Sequence, residues 1–282
     1  MLYRRYKPPP PLGDFVDDLW FYDDYAQPHL REGILPSATI ELVINLRENE
    51  FRIYDPARPQ RCRRFQGTMV SGAYGSIFVI DTLEDASVIG AHFKPGGAFP
   101  FLGSPAGELA DLHVDLETLW GRSTAISLRE RLCAAPTPEE KFSILERALL
   151  SHLFRPLQHH QAVNTALHAF TSSNGIWTVG ALTHQIGISQ RRFIQVFSDE
   201  VGITPKLFCR IQRFQLALSA VQGTGSVNWA GLAADCGYFD QSHLIRDFLE
   251  FSGLTPADYL AQQNHFRRRE MYIKRNHLPL AV

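Results

Sequence analysis

The chain has 282 residues, of which 45% are hydrophobic and 20% charged, and its formal net charge is −1. This length accommodates about two domains, and the composition is that of a globular protein, which excludes a disordered or fibrous chain. No apolar run reaches the roughly eighteen residues of a membrane span, so no membrane partner is expected.

The N-terminal stretch MLYRRYKPPPPLGDF carries basic residues with no apolar segment after them, so it does not resemble a secretion signal. The four cysteines, Cys62, Cys133, Cys209 and Cys236, lie far apart and form no Cys-x-x-Cys pair, which argues against a disulfide framework and a zinc site. We therefore expect a cytoplasmic protein with reduced thiols.

The charge is unevenly divided along the chain. Residues 1–157 hold 17 lysines and arginines against 21 aspartates and glutamates, a net charge of −4, whereas residues 158–282 hold 11 against 8, a net charge of +3. Most of that positive surplus lies in the tail FRRREMYIKRNH, so charge favours a nucleic-acid partner only weakly.

The first hundred residues are predicted to be β-rich. SATIELVINL (37–46) and SIFVIDTL (76–83) are dense in β-branched and aromatic residues, and ASVIGAHFKPGGAFPFLG (86–103) has the pattern of a strand that enters a Gly-Pro turn. Pro8 to Pro11 indicate an extended segment, and RIYDPARPQRCRRF indicates a hairpin or a loop.

From about residue 104 the hydrophobic period becomes helical, in AGELADLHVDLETLWG and then in TPEEKFSILERALLSHLFR. Thr137 and Glu140 match a capping box at the start of the second segment. Its apolar stripe consists of Phe142, Leu145, Leu149 and Leu153. The stripe has two uses: it packs on its own domain, or it forms a dimer seam.

Pro156 and the polar QHHQ after it mark the predicted domain boundary. We predict an α+β protein of two domains, with a β-rich, cupin-like domain and its following helices over residues 1–157. An all-α domain with two helix-turn-helix motifs joined by a linker helix covers residues 158–264, and a basic tail covers residues 265–282.

The all-α region is predicted as a series of short helices. AVNTALHAF forms one, Thr178 caps a second that Gly187 stops, and Ser189 caps a third that runs to about Val201. Pro205 then opens a longer helix through KLFCRIQRFQLALSAVQ, which Gly223 and Gly225 break.

One sequence motif occurs in two similar copies in this region, LTHQIGISQRRFIQVFSDEVGITP (182–205) and LAADCGYFDQSHLIRDFLEFSGLTP (232–256). Each copy has a glycine in a turn, two apolar anchors and a closing Gly-x-Thr-Pro. A stacked array needs about three units, so two copies indicate a pair of helix-turn-helix units. The alternative is that a helix-turn-helix is only a compact helical corner.

The second helix of each unit has an apolar inner side and a polar outer side. Phe193, Val196 and Phe197 are predicted to point inward in the first unit, and Leu244 and Phe248 in the second. The residues left for base edges in the major groove are Gln190, Arg191, Ile194 and Gln195, and then Gln241, Ser242, His243 and Arg246. A linker helix of about seventeen residues spans roughly 25 Å, which with the flanking helices separates the two recognition helices by about one DNA turn, near 34 Å.

These residues resemble the DNA-binding domain of the AraC/XylS family of bacterial transcription regulators. The match is strongest in GYFDQSHLIRDFLEFSGLTPADYL, which is similar to that family's signature, and it covers residues 162–263. The resemblance implies two helix-turn-helix units that bind adjacent groove segments of double-stranded promoter DNA, with RNA polymerase as a further partner. It implies base contacts from both outer faces and phosphate contacts from Ser189, Arg192, Arg210, Arg213 and Asn228.

The chain departs from that signature in places. Leu249 and Glu250 stand where such proteins usually carry lysines, Leu260 stands where an arginine is usual, and Gln195 replaces a common arginine. Fewer phosphate contacts predict weaker affinity and a flatter salt dependence, for which Arg210, Arg213 and the arginines at 267–269 compensate.

In this family the partner domain senses a small molecule or mediates dimerisation. ILPSATIELVINL and FKPGGAFPFLG resemble the short β-rich N-terminal domain of a subset of these regulators. A barrel mouth lined with aromatic residues favours a ligand site, for which the candidates are Trp20, Tyr22, Glu41, His92 and Phe93, with Phe21 beside them. The alternative is that these strand aromatics belong to the core.

Metal and cofactor chemistry find little support in the sequence. The chain has no His-x-His pair, His92, His113 and His152 are scattered, and His159 with His160 falls in the predicted linker. No phosphate loop or Gly-x-Ser-x-Gly sequence is present. We therefore predict no cofactor and a regulator rather than an enzyme. The alternatives are a cupin-like enzyme or DNA-repair protein fused to a DNA-binding module, and a module that binds protein instead of DNA.

Overall fold

A computed structural model describes residues 2–23, 31–82, 87–172, 179–221, 227–267 and 276–280. It has a β-rich region of two antiparallel sheets, three α-helices after it, and a helical carboxyl-terminal region. The order of a β-rich region, following helices and an all-α region is the one that the sequence predicts. Among the described residues, no helix has both the length and the apolar character that crossing a membrane requires.

Eleven strands lie in the described residues. In chain order they are β1 (Leu2–Tyr6), β2 (Val16–Asp23), β3 (Arg31–Ile34), β4 (Glu41–Asn45), β5 (Glu50–Asp55), β6 (Arg58–Gln66), β7 (Thr68–Ser71), β8 (Phe78–Asp81), β9 (Ser87–Phe93), β10 (His113–Asp115) and β11 (His277–Pro279). The first sheet has the order β1-β2-β9-β4-β7-β10 and the second has the order β11-β3-β8-β5-β6.

Strand β2 shows how the first sheet separates two environments. Successive side chains of a strand point to opposite faces, so Trp20 and Tyr22 face the second sheet, where they pack in one cluster with Phe51. Leu19 and Phe21 face the other way, into the main core that includes the helices after the sheet.

The predicted strands over 37–46, 76–83 and 86–103 are present as β4, β8 and β9, and the proposed hairpin is the β5–β6 pair. The helical prediction from residue 104 was wrong for His113 to Asp115, which pair with β7 as a strand. These residues form a strand despite their helical periodicity, because the edge of β7 offers backbone hydrogen-bond partners.

Ten α-helices lie in the described residues. They are α1 (Leu116–Trp120), α2 (Arg122–Ala134), α3 (Pro138–Ser151), α4 (Gln161–Ser172), α5 (Val179–Ile186), α6 (Gln190–Val201), α7 (Pro205–Val221), α8 (Trp229–Asp235), α9 (Gln241–Ser252) and α10 (Pro256–Arg267). Of these helices, α2 was not predicted from the sequence. Its carboxyl end is held by Lys141, whose Nζ donates to the carbonyl oxygens of Leu132 and Ala135 at 2.6 and 2.5 Å.

Helix α3 begins as the sequence predicts, with the Thr137 hydroxyl accepting a hydrogen bond from the Glu140 backbone N–H. Phe142, Leu145 and Leu149 are buried in the core of the chain, so the stripe packs on its own domain and is not an open dimer seam. Leu153 follows the end of the helix and is exposed.

In the carboxyl-terminal region the predicted helices are present with nearly the predicted bounds, and Ser189, Gly187 and Pro205 stand at the predicted ends. The predicted cap Thr178 and the breakers Gly223 and Gly225 lie outside the described residues, as do residues 268–275 of the basic tail.

The β-rich and helical regions pack against each other closely. A Cβ on Gly107 would lie 3.1 Å from the Ser198 carbonyl oxygen of α6, and a Cβ on Gly202 would lie 3.2 Å from the Ala73 Cβ. Gln215 of α7 donates from Nε2 to the Pro36 carbonyl oxygen at 2.7 Å. One continuous core therefore runs through both regions.

Candidate nucleic-acid interface and ligand cavity

The first candidate unit consists of α5 and α6. Gly187 in the turn has a φ of +78°, a left-handed conformation that glycine adopts without steric cost. The backbone N–H groups of Gly187 and Ile188 both donate to the Thr183 carbonyl oxygen, which closes the first helix. Ser189 then caps α6 by accepting from the Arg192 N–H.

Helix α6 is divided between core and solvent. Phe193 and Phe197 are fully buried, and their rings pack at 5.7 Å between centroids. The four predicted base-contact residues of this helix are all exposed, namely Gln190, Arg191, Ile194 and Gln195. Gln195 Nε2 donates to Asp199 Oδ1 at 2.7 Å on the same face, which orients its amide.

The second candidate unit consists of α8 and α9 and is built in the same way. Asn228 caps α8 by accepting from the Gly231 N–H, and Asp240 caps α9 by accepting from the His243 N–H. Gly237 in the turn has a φ of +75°. The repeated glycine therefore serves the same backbone bend in both units.

The outer face of α9 is polar. Gln241, Ser242 and Arg246 are exposed, and His243 is half-buried with its ring edge-on to Tyr238 at 5.2 Å. Leu244 and Phe248 are fully buried beneath them. Both predicted faces are thus presented to solvent, and His243 is the most enclosed of the eight candidates.

The five predicted phosphate contacts lie in different surroundings. Ser189 and Asn228 are helix caps, and Arg192 is exposed in the first turn of α6. The Arg213 guanidinium lies 5.5 Å from the Tyr238 ring centroid.

Arg210 already has carboxylate partners. Its Nη2 lies 2.7 Å from Asp247 Oδ1 and 2.6 Å from Glu250 Oε2, so it joins α7 to α9. Hydrogen bonds from Arg210 hold the pKa of Glu250 below its usual range. A phosphate contact by Arg210 would have to compete with these two carboxylates.

Phe239 is a surface residue that the sequence analysis did not select. It lies between α8 and α9 and is 93% exposed, beside Asp240, the capping residue of α9. Its aromatic neighbour Tyr238 is buried. The sequence indicated this exposed residue only by two consecutive aromatic residues in a turn, since the core buries one of them and leaves the other in solvent.

A cavity of about 690 Å³ lies between the two sheets. All five predicted ligand residues line it, namely Trp20, Tyr22, Glu41, His92 and Phe93. Phe21 does not, because the pleat of β2 turns it into the main core. Gln212 and Gln215 of α7, and Asn276 and His277 at β11, complete the wall.

A row of paired polar side chains crosses the cavity face of the first sheet. His92 is the direct cross-strand partner of both Asp18 and Glu41. Its Nδ1 lies 2.8 Å from Asp18 Oδ1 and its Nε2 lies 3.2 Å from Glu41 Oε1. Arg5 pairs with Asp18 from the adjacent strand β1. The sequence analysis missed Asp18 and Arg5, because only the strand register brings them to His92.

Trp20 packs on a position that only glycine fits. A Cβ on Gly90, its cross-strand partner, would lie 2.5 Å from Trp20 Cζ2 and 2.6 Å from the Leu42 carbonyl oxygen. The Trp20 Nε1 is buried and has no hydrogen-bond partner among the described residues.

His113 stands deep in the wall of the cavity. Burial lowers the pKa of its imidazole to about 3, and the Arg63 guanidinium acts in the same direction. Its Nδ1 is hydrogen-bonded with the Tyr74 hydroxyl, and its Nε2 lies 3.3 Å from Ser71 Oγ. His113 is therefore a neutral structural group at neutral pH.

The described part of the chain has no cluster of three or more side chains that could ligate a metal. Burial raises the pKa of the Cys209 thiol to about 11 and also raises that of Cys236. These shifts oppose thiolate formation.

Comparison with known proteins gives a match in each region. Residues 4–115 match a family described as a domain of unknown function, DUF6597. Residues 182–262 match the family described as Helix-turn-helix domain. The two matches correspond to the β-rich region and to the pair of capped units described above.

The chain is 31% identical over 87 residues to an HTH-type transcriptional regulator of Mycobacterium tuberculosis. The aligned residues cover 31% of this chain and 33% of that protein. The chain thus matches about a third of the length of this curated relative. A probable AraC family transcriptional regulator from Rhodopseudomonas palustris is 24% identical, covers 37% of this chain and 98% of its own, and gives a TM-score of 0.33. ToxT from Vibrio cholerae is 9% identical over 93% of this chain and 98% of its own, with a TM-score of 0.44.

The two glycine-turned, capped helix pairs joined by α7 define a protein with a double helix-turn-helix domain. Its residues 182–262 match the Helix-turn-helix domain family, and the β-rich residues 4–115 before them match the DUF6597 family.

Proposed function

We propose that this protein is a sequence-specific DNA-binding transcription regulator, which reads two successive major-groove segments with α6 and α9. The observation that carries the proposal is the pair of exposed polar faces on two helices that are otherwise buried. Arginine and glutamine side chains on such faces form bidentate hydrogen bonds with guanine and adenine edges. We expect it to act in the cytoplasm on promoter DNA, with RNA polymerase and a second copy of the chain as further partners.

Selection of bound fragments from random duplex DNA tests this proposal. Arg191→Ala and Gln241→Ala should each weaken binding to the selected duplex by about 1–3 kcal/mol and relax the preference at one base pair. Arg147→Ala is a matched control, because Arg147 is an exposed arginine on α3, remote in sequence from both units. Unchanged selection profiles for both recognition variants would reject the assigned faces.

We further propose that the cavity binds a small organic effector that combines a flat apolar part with hydrogen-bonding groups. Aromatic side chains form much of its wall, including Tyr3, Trp20, Tyr22, Phe51 and Phe78. The charged groups among them are largely paired with one another, as in the Asp18–His92–Glu41 row. A strongly charged ligand would therefore meet groups that already have partners within the wall.

A thermal-shift screen of small metabolites tests the effector site. An effector should stabilise the wild-type chain and lose most of that effect with Glu41→Gln, which alters the polar wall. Asp55→Asn serves as the control, since Asp55 lies in the same domain but not in the cavity wall. An effector that stabilises all three chains equally would place the site elsewhere.

Two observations favour the regulator over the enzyme alternative. The raised thiol pKa values of Cys209 and Cys236 are opposite to what a reactive cysteine needs. The curated relative is a transcriptional regulator, which favours the regulator over the enzyme.

A further inference from the structure

The chain returns to the β-rich domain after its second helix-turn-helix unit. Strand β11 pairs antiparallel with β3, with Leu278 opposite Gly33 and His277 opposite Ile34. The Leu35 N–H donates to the Asn276 carbonyl oxygen at 2.8 Å, and the Leu280 N–H donates to the Arg31 carbonyl oxygen at 3.1 Å. Five residues thus cover the edge that β3 would otherwise expose.

Side chains fix this strand to both regions of the molecule. Leu278 is buried in the main core, and His277 Nδ1 is paired with the buried carboxylate of Glu32. On the other side, Gln262 of α10 donates from Nε2 to the Pro279 carbonyl oxygen at 2.6 Å. Helix α10 in turn packs on the recognition helix α9, where the Tyr259 and Phe248 rings lie 6.0 Å apart.

The same strand forms part of the cavity wall, with Asn276 and His277. The Oδ1 atom of Asn276 is buried and has no hydrogen-bond partner among the described residues. An unpaired buried acceptor is costly, and a ligand that donates a hydrogen bond to it would stabilise the docked strand. The cavity contents and the position of β11 are therefore energetically linked.

We propose that β11 is a latch through which occupation of the cavity controls the second helix-turn-helix unit. This inference rests on the proposed function and states how the ligand site would regulate the second helix-turn-helix unit. A ligand that binds the latched form better shifts the population towards it, and α10 transmits the state of the latch to α9. By linkage, DNA that fixes α9 changes ligand affinity by the same factor.

Amide hydrogen exchange tests the mechanical part of the latch without DNA or ligand. A chain ending at residue 275 should exchange faster, by about tenfold or more, in β3 and in α10, while α2 is unchanged. Gln262→Ala, which removes one hydrogen bond to the strand, is a milder variant that should show the same pattern more weakly. Unchanged exchange in α10 in both variants would overturn the latch.

A cavity-filling substitution tests the link to the cavity. Val43 lines the cavity on β4, on a different sheet from β11. Val43→Phe should change the exchange rates of β11 and α10 at least threefold, whereas Leu150→Phe, an exposed position on α3, should not. Equal rates in β11 for Val43→Phe and the wild-type chain would contradict the link.

DNA binding tests the consequence. On a duplex selected by the full chain, removing residues 276–282 should change affinity at least fivefold, and the change should vanish on a duplex that keeps only the segment read by α6. Equal changes on both duplexes would overturn control of the second unit. If the full chain selects no sequence at all, the proposed function fails, whereas the exchange experiments still decide the latch.

Discussion

Arg210 illustrates how one side chain acquires a role that its residue type does not reveal. The sequence predicted a phosphate contact, and the structure surrounds the guanidinium with Asp247, which is 1% exposed, and Glu250. Breaking a buried ion pair leaves an uncompensated charge. Glu250, which departs from the family signature, is thus one of the two carboxylates whose ion pairs with Arg210 join α9 to α7.

We expect Arg210→Ala to lower the free energy of unfolding by about 3 kcal/mol, because Asp247 would stay buried without its cation. Chemical denaturation measures this loss. The double variant Arg210→Met with Asp247→Leu should recover most of it, since both charges are then removed. The salt dependence of DNA affinity separates the two roles, because a phosphate contact predicts a slope lowered by about 1 in Arg210→Ala.

His113 shows the reverse case, a titratable group that burial keeps neutral. Its folded pKa of about 3 lies below the ordinary value of 6.5. Between pH 3 and pH 6.5, therefore, the imidazole is protonated in the unfolded chain and neutral in the folded chain. Stability should therefore fall as the pH drops from 6.5 towards 3, by up to about 1.4 kcal/mol per pH unit from this group.

Denaturation at several pH values measures that dependence. His113→Gln should flatten the fall between pH 6.5 and 3, even if its stability at pH 7 is lower. His184→Gln is the matched control, because His184 is exposed on α5. An acid dependence that is the same in wild type and His113→Gln would contradict the assignment.

The turn between two helices is the element that the repeat encodes most directly. Both turn glycines have a positive φ, and both recognition helices begin at a capping side chain. These features are local, since a cap and a turn need only a few neighbouring residues. For that reason the sequence predicted the bounds of α6 and α9 almost to the residue.

We expect Gly187→Ala to destabilise the first unit by about 1 kcal/mol. A Cβ at Gly187 would meet nothing within 4 Å, so the cost comes only from the left-handed backbone. Gly187→Asn should cost less, because asparagine tolerates this conformation better. Thermal unfolding of the three chains gives the comparison, and an alanine variant as stable as wild type would contradict it.

The strands were harder to predict than the turns. β10 and β11 are short, and each exists because a distant edge strand, β7 or β3, offers backbone partners. Residues 276–280 were assigned to a basic tail on composition alone. A three-residue strand has too little local pattern to be recognised without its partner.

The two regions of the molecule share one core, and their contact is close at α6. Gly202, with a φ of +96°, faces Ala73 and the Ala106 carbonyl oxygen. His159, in the segment between α3 and α4, lies 2.5 Å from the buried Glu200 carboxylate near the end of the same helix. The first recognition helix is therefore anchored on the β-rich domain, as the second is through α10 and β11.

We expect a single cooperative transition in calorimetry of the wild-type chain, because the core is continuous. A Cβ at position 202 would already lie only 3.2 Å from the Ala73 Cβ, so the branched side chain of Gly202→Val would clash there. This variant should split the transition into two. Leu216→Val, at an exposed position of α7, should leave one transition. Two transitions in the wild-type chain would show that the regions unfold independently.

The sequence by itself determined the helical domain, because caps, turn glycines and a repeated apolar pattern act through neighbours along the chain. Through the resemblance to a β-rich sensor domain it also led to six candidate ligand residues, of which five line the cavity and Phe21 does not. Only the tertiary structure decided which strand faces meet, that Asp18 flanks His92, that Arg210 is held by two carboxylates, and that Asn276 and His277 line the cavity. These depend on register and on contacts between residues far apart in sequence, which local pattern does not specify.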